Sequence, residues 1–457
     1  MTKASLLSLI LLTNSVVASN DAQPFGRPLI PDMLADPSIT DLNGTFYCYA
    51  TTDGWGRGLA TSGTPVVWKS KDFLNWSFEG STFADNFNAK YWAPSTLLPY
   101  KGRYYSFPTL DGKITALVAD SPDGPFRTLD GKDIFPDSGW QPFPIEQKSS
   151  IDAEVFIDDD GQRYMVYSRR RIVKLKPDLS GPDGPVTTLQ TGETAYSEGP
   201  FLFKRNGIYY YLYTLGGGEN YAYAYMISRV SPLGPWTIPP DKIIAKTDPA
   251  AGIFGPGHGC FLHPQGRNDW YFVHLEYGRG STNRQIYAQK MAFNPDGTIQ
   301  PIKLTNQGVG ALRPNVEKTP NLALDRVATA SSTKPDAKVP TRDTTLDRTE
   351  TFAPAMATDD SNGTRWMAAD GDAAPWWQID LGQPRYVTRT EAYFVKPAAG
   401  HAYKLEWSLD GKSWQPYGGH ADIICRSPHY DVRAVRARYL KLTILQGMPG
   451  LWEFRVY

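Results

Sequence analysis

At 457 residues the chain is too long for one small domain and fits two or three. Hydrophobic residues make up 41% and aromatic residues 13%, including 26 Tyr and 13 Trp, which is enough for a large core and for ring surfaces that stack on a ligand. Lys and Arg total 47, as do Asp and Glu, and no sustained basic run occurs, which argues against recruitment by nucleic acid or an anionic membrane and for a neutral partner.

The first residues, MTKASLLSLILLTNSVVASNDA, read as a secretory signal over 1–19: Lys3, an apolar run from Leu6 to Leu12, then small residues ending near Ala18 or Ser19. The mature chain is expected to be exported, to the extracellular space or a periplasm. No other stretch approaches the ~18 apolar residues of a membrane span.

From residue 22 to 316, helical periodicity is almost absent. Short strands rich in Tyr, Phe, Val and Ile alternate with Gly, Pro, Asn and Asp turns, an all-β pattern. A unit of apolar strand, turn and aromatic strand recurs five times: ADPSITDLNGTFYCYAT (35–51), WAPSTLLPYKGRYYSFPT (92–109), SIDAEVFIDDDGQRYMVYS (150–168), SEGPFLFKRNGIYYYLYT (197–214) and GPGHGCFLHPQGRNDWYFVHL (255–275). Matching the first strands puts Asp36, Trp92, Asp152, Glu198 and His258 in one column, at spacings of 56, 60, 46 and 60 residues. Periods of this size predict a five-bladed β-propeller with one four-stranded sheet per unit. SPDGPF (121–126) and SPLGPW (231–236) fall at similar places in their units, as outer-blade turns would.

The inner strands of a propeller run in one direction along the axis, so such a column becomes a ring at one mouth. Two carboxylates across a pocket suit glycosidic hydrolysis, one protonating the leaving oxygen while the other activates water or attacks. A third, close by, holds the acid protonated. Glu154, on the same alternating face as Asp152, is expected deeper along the axis. Each residue alone has a plainer reading: Asp36 before Pro37 as a turn residue, Asp152 as a strand end, Glu198 as a surface carboxylate, His258 as structural. Their joint placement points to a site. Trp92 reads either as blade packing or as a sugar-stacking wall, and Trp55 in TTDGWGRGLAT as a pocket border or a surface loop.

ADPSI, SIDAEVF and SEGPF, in this order, resemble the three acidic motifs of glycoside hydrolase family 43, and YWAPS and GPGHG resemble two further segments of it, over about residues 25–315. The resemblance implies a five-bladed propeller that inverts at the anomeric carbon and acts mostly on arabinofuranosides, xylosides and related plant cell-wall glycans. It implies that Asp36 is the general base, Glu198 the general acid, and Asp152 the residue that orients the acid and modulates its pKa. It further implies that His258 helps to hold calcium or sodium on the propeller axis, and that Arg284 in STNRQIYAQKM, with Arg279 as the competing assignment, contacts a sugar hydroxyl. No catalytic cofactor is implied. The Asn-Asp-Pro, Arg-Asp-Pro and Glu-Cys motifs of the related retaining fructosidases are missing.

After ALRPNVEKTPNLALD the repeat stops, and 321–457 reads as a separate β domain. ATDDSNGTRWMA, PWWQIDLGQPRYV, YKLEWSLDGKSWQPY and LWEFRVY resemble, in that order, a discoidin or coagulation-factor type C jelly roll akin to carbohydrate-binding module family 32. This implies a β-sandwich with a structural calcium near Asp359, Thr364 and Glu453, although Asp360 stands where glycine is commoner. Trp366 and Trp377 are expected in the core, with glycan binding and a docking role both open.

The odd cysteine number (Cys48, Cys260, Cys425) indicates neither a disulfide framework nor a zinc site, and buried free thiols are expected at Cys48 and Cys260. Sequons at Asn43, Asn75 and Asn362 matter in a glycosylating host. The combined expectation is a secreted, inverting exo-glycosidase of the α-L-arabinofuranosidase or β-D-xylosidase type acting on an oligosaccharide or polysaccharide. The alternatives are a β-galactofuranosidase or galactan-end hydrolase, and a non-catalytic propeller-lectin.

Overall fold

The computed structural model describes residues 27–52, 65–277, 284–305, 307–314, 319–338 and 349–457. Regular structure among them is strand, with only short 3-10 turns between strands, and no helix is long and apolar enough to cross a membrane.

Five antiparallel sheets follow in chain order. The first runs Ala35–Leu42, Thr45–Thr51, Val66–Ser70, Ser77–Ser81, and the second Leu98–Tyr100, Arg103–Ser106, Leu117–Ala119, Arg127–Thr128. Glu154–Ile157, Arg163–Tyr167, Arg171–Leu175 and Thr187–Thr188 form the third, and Phe201–Arg205, Ile208–Leu215, Ala222–Ser228 and Ile243–Lys246 the fourth. The fifth has three strands among the described residues, Gly257–Leu262, Trp270–Tyr277 and Arg284–Met291. Local chemistry sets the hairpins: Asn43-Gly44, Lys101-Gly102 and Asn206-Gly207 each close a two-residue loop with both residues at positive φ, the turn whose twist matches that of the strands it joins. SPDGPF and SPLGPW each follow the third strand of their sheet, and both contain a cis Gly-Pro bond.

Apolar packing joins these sheets in cyclic order. Tyr49 and Val67 of the first pack with Leu97 and Leu117, Phe107 and Ile114 with Met165 and Val173, and Val166 and Ile172 with Tyr211 and Met226. Tyr210, Phe272 and Trp68, from the fourth, fifth and first sheets, share one cluster, and the Ile39 amide donates to Cys260 Sγ at 3.3 Å. This is the order a five-bladed propeller requires. Cys48 and Cys260 are buried free thiols, and Cys425 is exposed.

The alignment of the repeats shifts by one residue. Asp36, Ala93, Asp152 and Gly199 share the left-handed conformation, with φ of 49°, 44°, 61° and 51°, and stand two residues before Ser38, Ser95, Glu154 and Phe201. Trp92 and Glu198 therefore precede the matching position rather than occupy it. The sequence column aligned side-chain chemistry, whereas the backbone repeats the kink that starts each inner strand. A further small sheet, Tyr91–Trp92, Thr109–Leu110 and Lys113–Ile114, was not expected.

In the C-terminal domain the expected sandwich is one hydrogen-bonded sheet of seven strands, six in a continuous path and Val327–Ala330 branching from it. Its longest strand, Trp376–Phe394, pairs on one side with His429–Gln446 and on the other with Val327–Ala330 and Gly450–Val456. Register shifts between Asp380 and Arg385 and between Val387 and Arg389 let it turn the corner from one layer to the other, which keeps the bonding continuous. Trp366, Trp377, Phe394, Leu442 and Phe454 fill the core.

The two domains are docked. Phe78 and Ser427 exchange backbone hydrogen bonds of 2.6 and 2.8 Å, and Met33 packs with Tyr393, Val395 and Trp452. The Asn362 amide nitrogen donates to Pro28 O at 3.0 Å, Gln285 Nε2 donates to Asn362 O at 3.0 Å, and Arg455 Nη1 donates to Asn75 Oδ1 at 3.2 Å. Two of the three sequon asparagines are thus engaged in docking, while Asn43 stands on an exposed turn. A cleft of about 530 Å³ opens between the domains, lined by residues such as Tyr47, Lys69, Tyr430 and Tyr457.

Candidate active site

Asp36, Asp152 and Glu198 gather where the inner strands begin. Asp36 and Asp152 are buried, at 5% and 6% exposure, and Glu198 is partly buried. His258 stands between the first two, with Nδ1 3.4 Å from Asp36 Oδ1 and 3.5 Å from Asp152 Oδ2. The Gly199 amide donates to Asp152 Oδ2 at 3.1 Å, which ties Asp152 to the peptide that follows Glu198. Gly199 admits no side chain, because a Cβ there would lie 2.8 Å from the His258 ring. Arg284 Nη1 and Nη2 donate to Asp36 Oδ1 and Oδ2 at 2.9 and 3.4 Å.

Threonines that close the first, second and fourth repeats hold these segments. Thr51 Oγ1 accepts from the Ala93 amide at 2.7 Å, Thr109 Oγ1 from the Asp152 amide at 3.2 Å, and Thr214 Oγ1 from the Glu198 amide at 2.9 Å. Their signal was in the sequence, since the first, second and fourth repeats end in Thr. The Tyr221 hydroxyl, also missed, donates to Glu198 Oε1.

Electrostatics separate the acids. Burial alone would raise Asp36, but the Arg284 guanidinium, His258 and the Thr51 hydroxyl outweigh it and hold this carboxyl below its ordinary value. Burial, with the Asp36 charge added, pushes Asp152 up to about 7 against the Gly199 hydrogen bond. Burial and the Asp152 charge raise Glu198 to about 8. One carboxylate is thus held ionised beside a carboxylic acid that keeps its proton at neutral pH. That pairing suits base and acid roles on one bond.

Residues 25–299 match the glycosyl hydrolases family 43 pattern. The chain belongs to this family. Residues 327–454 match the F5/8 type C domain. The family 43 chain is 27% identical over 308 residues to the beta-D-galactofuranosidase xynD of Aspergillus niger, covering 62% of this chain and 86% of that one. It is 28% identical to the arabinoxylan arabinofuranohydrolase of Bacillus subtilis, over 62% of this chain and 65% of that one. A solved structure described as a glycoside hydrolase superposes with a TM-score of 0.90 at 51% identity, over 95% of this chain and 99% of that one.

The other expected residues of this family 43 chain divide. Trp92 is half-buried, pairs with Thr109 in the small extra sheet, and has a buried indole nitrogen without a hydrogen-bond partner. Arg284, expected on a sugar hydroxyl, lies in the cluster and donates to Asp36. Trp55 and Arg279 lie outside the described residues. Glu154 lies just beyond Asp152 in the third sheet's inner strand, accepts from the Thr96 amide and hydroxyl at 2.8 and 3.0 Å, and is raised to about 8 by burial. His258, expected to help hold an axial ion, turns Nδ1 toward the two carboxylates Asp36 and Asp152.

In the C-terminal domain, Thr364 Oγ1 donates to Asp359 at 2.9 and 2.8 Å, and the Asp360 amide donates to Glu453 Oε2 at 3.0 Å. Glu453 Oε1 is buried without a hydrogen-bond partner. Burial raises Glu453 well above its ordinary value, and the Asp359 and Asp360 charges add to this against Arg455. Burial raises Asp359 to about 6. The orphaned buried oxygen of Glu453 is chemistry that a hard cation would satisfy.

Proposed function

We propose that this chain is a secreted, inverting exo-glycosidase that releases a terminal pentose, L-arabinofuranose or D-xylose, from plant cell-wall glycans. The observation that carries this reading is the division of charge between Asp36 and Glu198 in one buried cluster. Asp36, held ionised by Arg284, takes a proton from the water that attacks the anomeric carbon. Glu198 delivers its proton to the glycosidic oxygen as that bond breaks. Asp152, bonded to the Gly199 amide, fixes the segment that carries Glu198 and by its charge keeps the acid protonated. Trp92, half-buried, would offer its ring face to a sugar. The N-terminal signal pattern supports export. Asp359, Thr364 and Glu453 would hold a calcium that fixes the C-terminal loop.

The galactofuranosidase relative favours one second reading, release of terminal galactofuranose by the same residues. Incubation with arabinan, arabinoxylan, xylo-oligosaccharides and arabinogalactan, with the released sugar identified and its initial anomer read by NMR, tests both. A single pentose released with inverted configuration is expected. Galactofuranose alone selects the second reading; retained glycan binding with no turnover on any substrate would leave a propeller-lectin.

A further inference from the structure

The group closest to the proposed acid is none of the other carboxyls. It is Tyr221, 4% exposed, whose hydroxyl donates to Glu198 Oε1. Its ring is locked from below: a Cβ on Gly257 would meet it at 2.6 Å, and it packs in a cluster with Ala35, Phe254, Leu275 and Tyr277. The Glu198 backbone is fixed as well, its amide bonded to Thr214 Oγ1 at 2.9 Å and its carbonyl accepting from the Thr214 amide and hydroxyl at 3.1 and 3.0 Å. Backbone and side chain are therefore held independently, the backbone by three hydrogen bonds with Thr214 and Oε1 of the side chain by the Tyr221 phenol.

A phenol O–H bonds more strongly to a carboxylate than to a neutral carboxylic acid. An interaction that strengthens as the proton leaves lowers the barrier rather than the ground state. We propose that Tyr221 is a positioning residue for the acid step: its hydroxyl occupies Glu198 Oε1, leaves the transferable proton on Oε2, and stabilises the carboxylate formed when that proton departs. The proton passes from Oε2 to the glycosidic oxygen, which keeps the electron pair of the breaking C–O bond. Water forms the new bond to the anomeric carbon and gives its proton to Asp36. Other groups around Glu198 are Asp152 and Asp36, which oppose its ionisation, His258 and Arg284, which favour it, and a second phenol, Tyr196, which also hydrogen-bonds the Glu198 side chain. Tyr196 is 45% exposed, whereas Tyr221 is buried, so the fixed ring is that of Tyr221.

The inference rests on the glycosidase reading, and Tyr221→Phe, which keeps the packed ring, tests it. Kinetics are compared on a nitrophenyl glycoside, whose leaving group needs little protonation, and on a methyl glycoside of the same sugar. Expected are a roughly ten-fold lower kcat on the methyl glycoside, a much smaller loss on the nitrophenyl one, and an alkaline limb of the kcat/KM profile moved to higher pH. In a Glu198→Gln background, where the proton is gone, adding Tyr221→Phe should cost nothing more. Equal losses on both substrates with an unmoved limb, or full additivity in the double variant, would overturn the role. A wild type inert on every glycoside instead removes the hydrolytic reading itself.

Discussion

The acids were legible because their chemistry is written in residue type: three carboxylates at repeated places in an otherwise apolar strand pattern have few structural excuses. Tyr221 was not, since its bond to Glu198 spans 23 residues and joins the approaches to two separate strands of the fourth sheet. The pairing of Arg284 with Asp36 was not foreseen, because the two lie 248 residues apart in the chain. With Asp36 as base and Glu198 as acid, Asp36→Asn and Glu198→Gln should each lower kcat by at least ~10²-fold in steady-state assays, and wild-type activity should fall as pH rises through about 8, where Glu198 loses its proton. Near-normal turnover in either variant removes that residue from its role. At the other end of the chain, calcium should raise the melting temperature of the wild type at neutral pH, and Glu453→Gln should abolish most of that gain. Equal gains in both proteins would place the ion elsewhere.

Among the elements, the five repeats were readable because turn chemistry and aromatic strands recur, and sheet pairing follows directly from two-residue turns such as Asn43-Gly44. Their fine alignment was not. A left-handed kink leaves no residue-type signature when Asp, Ala, Asp and Gly all adopt it, so the true register becomes visible only in the backbone angles. Gly199 shows what that kink does: at φ 51° and in contact with His258 it joins Asp152 to Glu198. Gly199→Ala should cost about 1–3 kcal/mol of stability in chemical denaturation, from strain at positive φ and from the clash, and should lower kcat more than ten-fold. An active variant of unchanged stability would show that the segment yields without disturbing the acids.

At the scale of the whole molecule, burial of titratable groups makes stability depend on pH. Asp32, Asp152, Glu154 and Glu198 are raised by burial to about 7, 7, 8 and 8. The folded state binds these protons more tightly than the unfolded chain, so their contribution is complete below the ordinary carboxylate range and is lost as pH rises toward 8. His274, His401 and His429 are lowered by burial to about 4, 4 and 3 from 6.5, so their contribution is lost instead as pH falls below 6.5. Between pH 6.5 and 8 the raised carboxyls give up their protons, and the melting temperature should fall across that window; a steady rise there in scanning calorimetry would contradict the assignment. Docking adds a second expectation. Residues 22–316 expressed alone would expose Met33 and the strand edge at Phe78, and should melt lower than the full chain and aggregate sooner.

Gln285 follows Arg284 in the same strand, and its side chain is clasped by the Asn362 carbonyl of the second domain. A push on the outer domain is felt one peptide bond from the guanidinium that keeps Asp36 charged. The clasp joins the two domains as a jig grips its work, close beside the carboxyl cluster.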